Sequence, residues 1–387
     1  MADKQRALAH VEKILNIQPI DGADNIELIT VLGWKCIAKK QEFQVGDYCV
    51  YFEIDSKLPV ADWSAFMESK GYKVKTMKLS KFGVISQGLA LPIKAFEGIS
   101  IPEKEGTDVT KLLNVTYYNA EDAKRKADVD PNAKYVSMKA RHKKIFSSKF
   151  AKWMMKRAWG RRIMFFIFGK KKDKPRGFPS FVSKTDEERV ENQPWRCGDG
   201  REYLATEKLD GTSCTYALEK KPFGKYEFYV CSRNVRQQDE NQKCYHDHNI
   251  YWDMAFKYNI REFLQNYLKE HKECSWVCLQ GEGVGNVQGN PLKLKEDDLY
   301  VFNLIDSANG RYDSREGKKI VEAVGMKWVP ILGVMTTPAT MEEMKALAEG
   351  ESMVNPDVLR EGIVFRSLDG KDSFKDVSVS YLLKHNG

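Results

Sequence analysis

The sequence has 387 residues, enough for two or three domains, because single cores stop growing before this length. Hydrophobic residues make up 42% and aromatic residues 11%, which fits a folded water-soluble chain and excludes a disordered or membrane-embedded one. Basic residues number 62 against 54 acidic, and the net charge of +8 suits a polyanionic partner without specifying one.

Eight cysteines are scattered with no C-x-x-C pair, so reduced thiols are expected in place of a disulfide framework. The N-terminal MADKQRALAHVEKIL lacks the apolar core of a signal peptide. The longest apolar run, IMFFIF at 163–168, is far short of the roughly 20 residues a spanning helix needs. An intracellular protein, cytoplasmic or nuclear, is the expectation.

Residues 1–115 read as short strands broken by turns. IELITVL, WKCIAKK, GDYCVYFEID and GVISQGLALPI carry β-branched or aromatic residues, with Gly22, Gly33, Gly46 and Gly83 between them. Tyr48, Val50, Phe52 and Ile54 alternate onto one face, predicting a half-buried strand. Strands at this spacing predict a small β-barrel of OB type, a fold that often binds nucleic acid. Lys73, Lys75, Lys78 and Lys81 cluster before the fourth strand and could line a phosphate track or a solvated face.

Residues 116–176 change character. From Lys139 to Arg176 there are 15 basic residues and one acidic residue, Asp173. FAKWMMKRAWGRR interleaves Phe150, Trp153, Met154 and Trp159 with these charges. A helical linker with an apolar stripe explains the pattern; contacts to a phosphate backbone, or less readily to a membrane surface, would add to it.

Residues 177–387 mix strands and helices. EYLATEKL, CTYALEK, YEFYVCSR, WVCLQGEGV, LYVFNLID and GIVFRS predict strands. WDMAFKYNIREFLQNYLKE sets Trp252, Ala255, Phe256, Ile260, Phe263, Leu264, Tyr267 and Leu268 at helical spacing. Thr340 with Glu343 has the form of a capping box. The whole is an α+β domain large enough to enclose a nucleotide.

The stretch ATEKLDGTSCTY, 205–216, places Lys208 at a strand end before an Asp210-Gly211 turn. A lysine amine attacks phosphorus only when deprotonated, so a nucleophilic Lys208 requires a site that lowers its pKa. Alone the K-x-D-G pattern is weak. Its value rises because partners follow in order. Arg233, in Cys231-Ser232-Arg233-Asn234, suits a ribose or end-phosphate, and Glu282 in Q-G-E-G suits a ribose hydroxyl. Phe302 offers a ring to stack on a base, Glu361 a carboxylate for a hydrated divalent ion, and Lys375 a cation for an α-phosphate.

The ordered series E-K-L-D-G-T-S, S-R-N, G-E-G, V-F-N, R-E-G-I-V-F-R and S-F-K resembles motifs I, Ia, III, IIIa, IV and V of covalent nucleotidyltransferases. That superfamily holds RNA ligases, DNA ligases and capping enzymes. FPSFVSKTDEERVEN, 178–192, is similar to the segment before motif I in RNA ligases, and the leading OB-like module looks like that of Naegleria-type ATP-dependent RNA ligases. The resemblance implies an α+β fold: an N-terminal OB-like β-barrel, then a nucleotidyltransferase (ATP-grasp-like ligase) domain of antiparallel sheets and helices. It implies that Lys208 carries AMP, Glu207 reads adenine N6, Arg233 and Glu282 hold the ribose, and Phe302 stacks on adenine. Asp210 and Gly211 would complete the nucleotide site, Glu361 and Glu282 would bind the metal, and Lys375 would contact the α-phosphate. ATP and Mg²⁺, or Mn²⁺ in its place, follow as cofactors. RNA with 3′-hydroxyl and 5′-phosphate ends, free or in nicked duplex, follows as substrate for a monomeric enzyme.

Related ligases often carry a second lysine two residues after the first in the last motif, and here that position is Val377, with Lys371 or Lys384 as candidate substitutes. A GTP-using capping guanylyltransferase shares the lysine chemistry, but Thr212, Ser213 and the leading OB-like module argue against it. A catalytically decayed RNA-binding protein is the reading from another class. His246 and His248 beside Cys244 suggest zinc only weakly, since no second ligand pair is near in sequence. Thr185, Arg189 and Asn192 are open between capping and nucleotide contact, and Cys274 and Cys278 are expected to pack.

Overall fold

β-Branched and aromatic residues recur along the first hundred positions, and in the computed structural model they build one main antiparallel sheet and two smaller strand pairs. The structure describes residues 6–118, 143–168, 177–237, 239–240, 246, 248–370 and 372–385. The first sheet runs in the order β3 (Trp34–Lys39), β2 (Ile26–Val31), β1 (Ala9–Pro19), β4 (Tyr48–Phe52), β5 (Leu89–Pro92), with Thr107–Asp108 also paired to β1. β1 pairs with β4 along its first half and with β2 along its second, across an irregularity between Ile14 and Asn16. One long strand thus serves both parts of the module, as barrels of this kind require.

The sequence pattern misses β1 and misjudges β4. In β1, His10 and Glu12 are buried beside Val11 and Ile14, so no apolar alternation announces the strand. β4 is buried on both faces: Val50 and Phe52 join one hydrophobic cluster, Cys49 and Tyr51 another. GVISQGLALPI forms two strands, Val84–Ser86 and β5.

The C-terminal part holds two sheets. One has Glu188–Arg189, then β13 (Ser373–Val377), β12 (Gly362–Ser367), β6 (Glu202–Lys208) and β11 (Ile331–Thr336). The other has Arg236–Gln237, β8 (Lys225–Cys231), β7 (Thr212–Lys221), β9 (Trp276–Val284), β10 (Asp298–Asp306) and Gly310–Arg311, with Lys327–Trp328 parallel to β10. The predicted helix after Trp252 is two helices, α4 (Ile250–Lys257) and α5 (Ile260–Glu270), because Asn259 takes a left-handed conformation at φ 46°. Ile260, Leu264, Tyr267 and Leu268 are buried as expected, whereas Phe256 is exposed. α6 (Ser314–Glu322) packs on β10. α7 (Met341–Ala348) begins with the predicted capping box: Thr340 Oγ1 accepts from the Glu343 N–H, and the Thr340 N–H donates to Glu343 Oε2. α8 (Val379–His385) closes the described chain.

The first sheet and the C-terminal sheets belong to one compact unit, residues 1–118 with 177–387, while 119–176 form a second. Within the first unit the Gly33 N–H donates to the Glu191 carbonyl at 2.8 Å, and Trp34 Nε1 to Asn192 Oδ1 at 2.6 Å. Asn192 Nδ2 reaches Glu53, a buried carboxylate that also accepts from Arg6 and lies 3.4 Å from His10. Gly33 is required here, since a Cβ would lie 2.9 Å from the Glu191 Cα. Val377 and Leu382 complete the hydrophobic cluster around Trp34 and Ile14.

In the second unit α1 (Lys143–Phe146), α2 (Lys149–Met155) and α3 (Ala158–Phe168) bury Phe146, Ala151, Met154 and Met164 among themselves. Phe150, Trp153 and Trp159 stay exposed, Trp153 carrying the Arg157 guanidinium 3.9 Å from its ring. Among the described residues no helix is long and apolar enough to cross a membrane.

Candidate active site

Lys208 is the last residue of β6, and Leu209-Asp210-Gly211 carries the chain across to β7 in the other sheet. The crossing is tight, because a Cβ on Gly211 would fall 2.2 Å from the Gly283 carbonyl oxygen. Lys208 stands opposite Gly362 in the ladder between β6 and β12, which sets Glu361 at its side. Its Nζ lies 2.8 Å from each carboxylate oxygen of Glu361. Burial opposes the charge on Lys208, but Glu361, Glu282 and Asp210 outweigh it and raise the pKa. This reverses the expectation of a lowered pKa, since three carboxylates act on the amine and outweigh the repulsion from Lys375.

Glu282 reaches the same place from β9, opposite Ser213 on β7. Burial pushes its carboxyl up to about 8 against the pull of Lys208, with Glu361 and Asp210 adding to the rise. Asp210 accepts from the Tyr381 hydroxyl at 2.6 Å. Glu361 and Glu282 belong to a cluster of three carboxylates beside one hydrogen-bonded lysine, with lesser attraction from Lys375 and Arg233, and their oxygen donors suit a hydrated divalent cation. Among the described residues no three His, Cys, Asp or Glu side chains form a direct ligand set, so water would complete the shell.

A second group centres on Asp186, which lies 3.2 Å from Lys375 Nζ and 2.9 Å from Arg233 Nη2. Burial disfavours its charge, but Lys375, Arg233 and Arg6 outweigh this and lower the pKa. Lys375 is brought down to about 8 by burial, with Arg189, Arg6 and Lys208 adding and Asp186 opposing. Tyr117, from the N-terminal module, lies under Arg233 at 5.7 Å.

Glu207 is buried; its Oε2 accepts from the Met353 N–H at 2.8 Å, and Oε1 has no hydrogen-bond partner. Phe302 is half-buried at the edge of the main hydrophobic cluster, with the Arg366 guanidinium 5.7 Å from its ring. Arg366 donates to Thr206 Oγ1 at 3.0 Å, and burial brings its pKa to about 10.

The structure therefore gathers Lys208, Asp210, Glu282 and Glu361 in one cluster and joins Lys375 and Arg233 through Asp186. Sequence reasoning missed Asp186, Tyr117 and Tyr381. Asp186 lies inside the quoted stretch 178–192, and its neighbours drew attention instead. Thr185 bonds Ser213 at 3.1 Å, whereas Arg189 and Asn192 face the N-terminal module through Asp55, Trp34 and Glu53. Val377 is buried in an apolar cluster, Lys384 is exposed on α8, and Lys371 lies outside the described residues. Cys244 also lies outside them, while His248 pairs with Asp297 at 2.5 Å. Cys274 and Cys278 are buried as expected.

Comparisons with known proteins agree with this arrangement. An OB-fold domain profile matches residues 8–93, and an RNA ligase profile matches residues 201–384. The chain is similar to a solved structure of a glutamate-to-alanine variant of Naegleria gruberi RNA ligase with ATP and Mn. Identity is 31%, the TM-score is 0.74, and the match covers 99% of this chain and 100% of that one. A lysine-to-methionine variant of that ligase with AMP and Mn matches at 31% identity and TM-score 0.74, over 98% of this chain and 99% of that one. The same ligase with PPi matches at 31% identity and TM-score 0.73, over 99% of each chain. No curated protein matches the chain in sequence. With nearly the full length of both chains matched at 31% identity, and the lysine and carboxylate cluster in place, the chain belongs to the RNA ligase family.

Proposed function

We propose that this ligase uses ATP and a divalent cation to join a 3′-hydroxyl to a 5′-phosphate RNA end, acting as a monomer in RNA repair. The observation that carries the reading is the Lys208 amine held 2.8 Å from Glu361 beside Glu282, with Lys375 and Arg233 gathered on Asp186. Two of the solved structures named above hold ATP or AMP with Mn, which supports the choice of nucleotide and metal.

The chemistry runs in three transfers. The deprotonated Lys208 amine attacks the α-phosphorus of ATP, forming an N–P bond as pyrophosphate departs. A 5′-phosphate oxygen of RNA then takes AMP from Lys208 and forms a phosphoanhydride. Last, the 3′-hydroxyl oxygen attacks that 5′-phosphorus, and AMP leaves as the phosphodiester closes. Glu361 and Glu282 would hold a divalent cation, which when bound would supply positive charge to the α-phosphate and offset the carboxylates that keep Lys208 protonated.

The chain's own residues do the rest. Lys375 leaves Asp186 to meet the α-phosphate, while Arg233 and Glu282 hold the ribose. Phe302 stacks on adenine, and the unpaired Oε1 of Glu207 accepts from its N6 amine. Asp210 and Gly211 hold the turn that presents Lys208. Residues 1–115 act as an RNA-binding module, 116–176 as a basic linker, and 177–387 as the transferase domain.

The test is a sealing assay with ATP and Mg²⁺ on nicked duplex RNA. Ends bearing 3′-hydroxyl and 5′-phosphate should seal. Sealing of 3′-phosphate with 5′-hydroxyl ends instead would contradict the proposed end chemistry.

A further inference from the structure

Beyond the nucleotide site, a charged strip runs along the N-terminal module. Thr116–Tyr117 pairs with Ser56–Lys57, and Lys57 stands opposite Lys73 across an antiparallel bridge. The flanking bonds run from the Leu58 N–H to the Tyr72 carbonyl and from the Val74 N–H to the Ser56 carbonyl. Lys57 and Lys73 are therefore a non-hydrogen-bonded pair, the geometry in which facing side chains come closest. Like charges placed this way are destabilising. Lys73 Nζ lies 3.8 Å over the Tyr118 ring, and Lys75 follows two positions on.

Among the described residues no acidic side chain pairs with Lys57, Lys73 or Lys75. The local field is strongly positive: Lys73, through its hydrogen bond, then Lys75 and Lys57 bring the Tyr118 phenol below its usual pKa. Tyr117, opposite Ser56, turns to the other face of the strand and meets Arg233 there. Three ammonium groups without an ion-pair partner among the described residues, set around the Tyr118 ring, match a chain of phosphates and bases, since the phosphates neutralise the cations and the ring stacks.

We propose that Lys57, Lys73, Lys75 and Tyr118 form the seat of an RNA strand on one face of this strand pair. The inference rests on reading the protein as an RNA ligase and names where its RNA lies. Of the lysines singled out in sequence, it keeps Lys73 and Lys75, adds Lys57, and leaves out Lys78 and Lys81, which belong to the hairpin Met77–Leu79 and Val84–Ser86.

The test compares the full chain with its Lys57→Gln/Lys73→Gln/Lys75→Gln variant, using a labelled single-stranded RNA between 50 and 200 mM KCl, concentrations chosen to span roughly the range where counterion release dominates. Losing three phosphate contacts should reduce the slope of log affinity against log salt by about 2 and weaken binding about tenfold or more. Lys78→Gln/Lys81→Gln should leave the slope unchanged. Label transfer from ATP to the protein, measured on the same samples, should persist in both variants. An unchanged slope in the triple variant, or an equal change in the hairpin variant, would overturn the proposal. So would loss of label transfer in the triple variant alone, which would assign the strip to ATP. Absence of label transfer in the parent protein would instead count against the ligase reading itself.

Discussion

Asp186 holds two cations that the proposed reaction needs elsewhere. Lys375 is buried, and its charged form depends on Asp186 against the repulsion of Arg189, Arg6 and Lys208. A group with a depressed lysine pKa loses its charge as pH rises through that value, about 8 in the parent protein. Removing the carboxylate removes the largest opposing effect, so the pKa falls further. In Asp186→Asn the alkaline limb of kcat/KM for adenylylation should therefore move to lower pH, since that ratio reports groups of the free enzyme. An unmoved limb would separate Lys375 from this role. Lys208, Glu282, Glu361 and Lys375 were legible in the sequence because each sits in a short segment with its own signature. Asp186 and Tyr117 were not, because their importance comes from residues 47 to 189 and 116 positions away that only the fold brings near.

β1 shows what a buried polar pair does to an element's visibility. His10 and Glu12 occupy positions where alternation expects apolar residues, and Glu53 and Arg6 complete the group. Burial opposes protonation of His10, but hydrogen bonds to Glu12 and Glu53 outweigh it and raise the pKa to about 9. A raised pKa stabilises the fold fully below the unfolded value of about 6.5, and the contribution is lost as pH rises through about 9. Urea unfolding at pH 6 and pH 9.5 should show a stability drop on the order of 2 kcal/mol that His10→Gln removes. Equal drops in both proteins would place the pH sensitivity elsewhere. The strands around Lys208 were predicted in place because β-branched and aromatic runs there are unbroken. The split between α4 and α5 was not, since one left-handed asparagine leaves the apolar period intact.

The two parts of the first unit are joined by polar contacts around Gly33, Trp34 and Asn192 and by the apolar contact of Val377 and Leu382. Val377 thus has a structural role at the position where related ligases often place a lysine, and its side chain belongs to the packing between modules. Gly33→Ala would set a methyl group 2.9 Å from the Glu191 Cα, and overpacking of this kind costs about 1–3 kcal/mol. A lower unfolding midpoint is the expected result, and an unchanged midpoint would mean the interface yields freely. Module order and the basic segment could be read from composition and spacing. Their joint could not, because Gly33, Glu191 and Val377 carry no shared pattern.

The central claim is that Lys208 accepts AMP from ATP. The most direct measurement is incubation of the purified protein, stripped of bound nucleotide by pyrophosphate, with α-labelled ATP or GTP and Mg²⁺, read on a denaturing gel. Label retained from ATP and absent in Lys208→Ala is the predicted result. Label from GTP alone, label surviving in Lys208→Ala, or no label in the folded parent protein would contradict it.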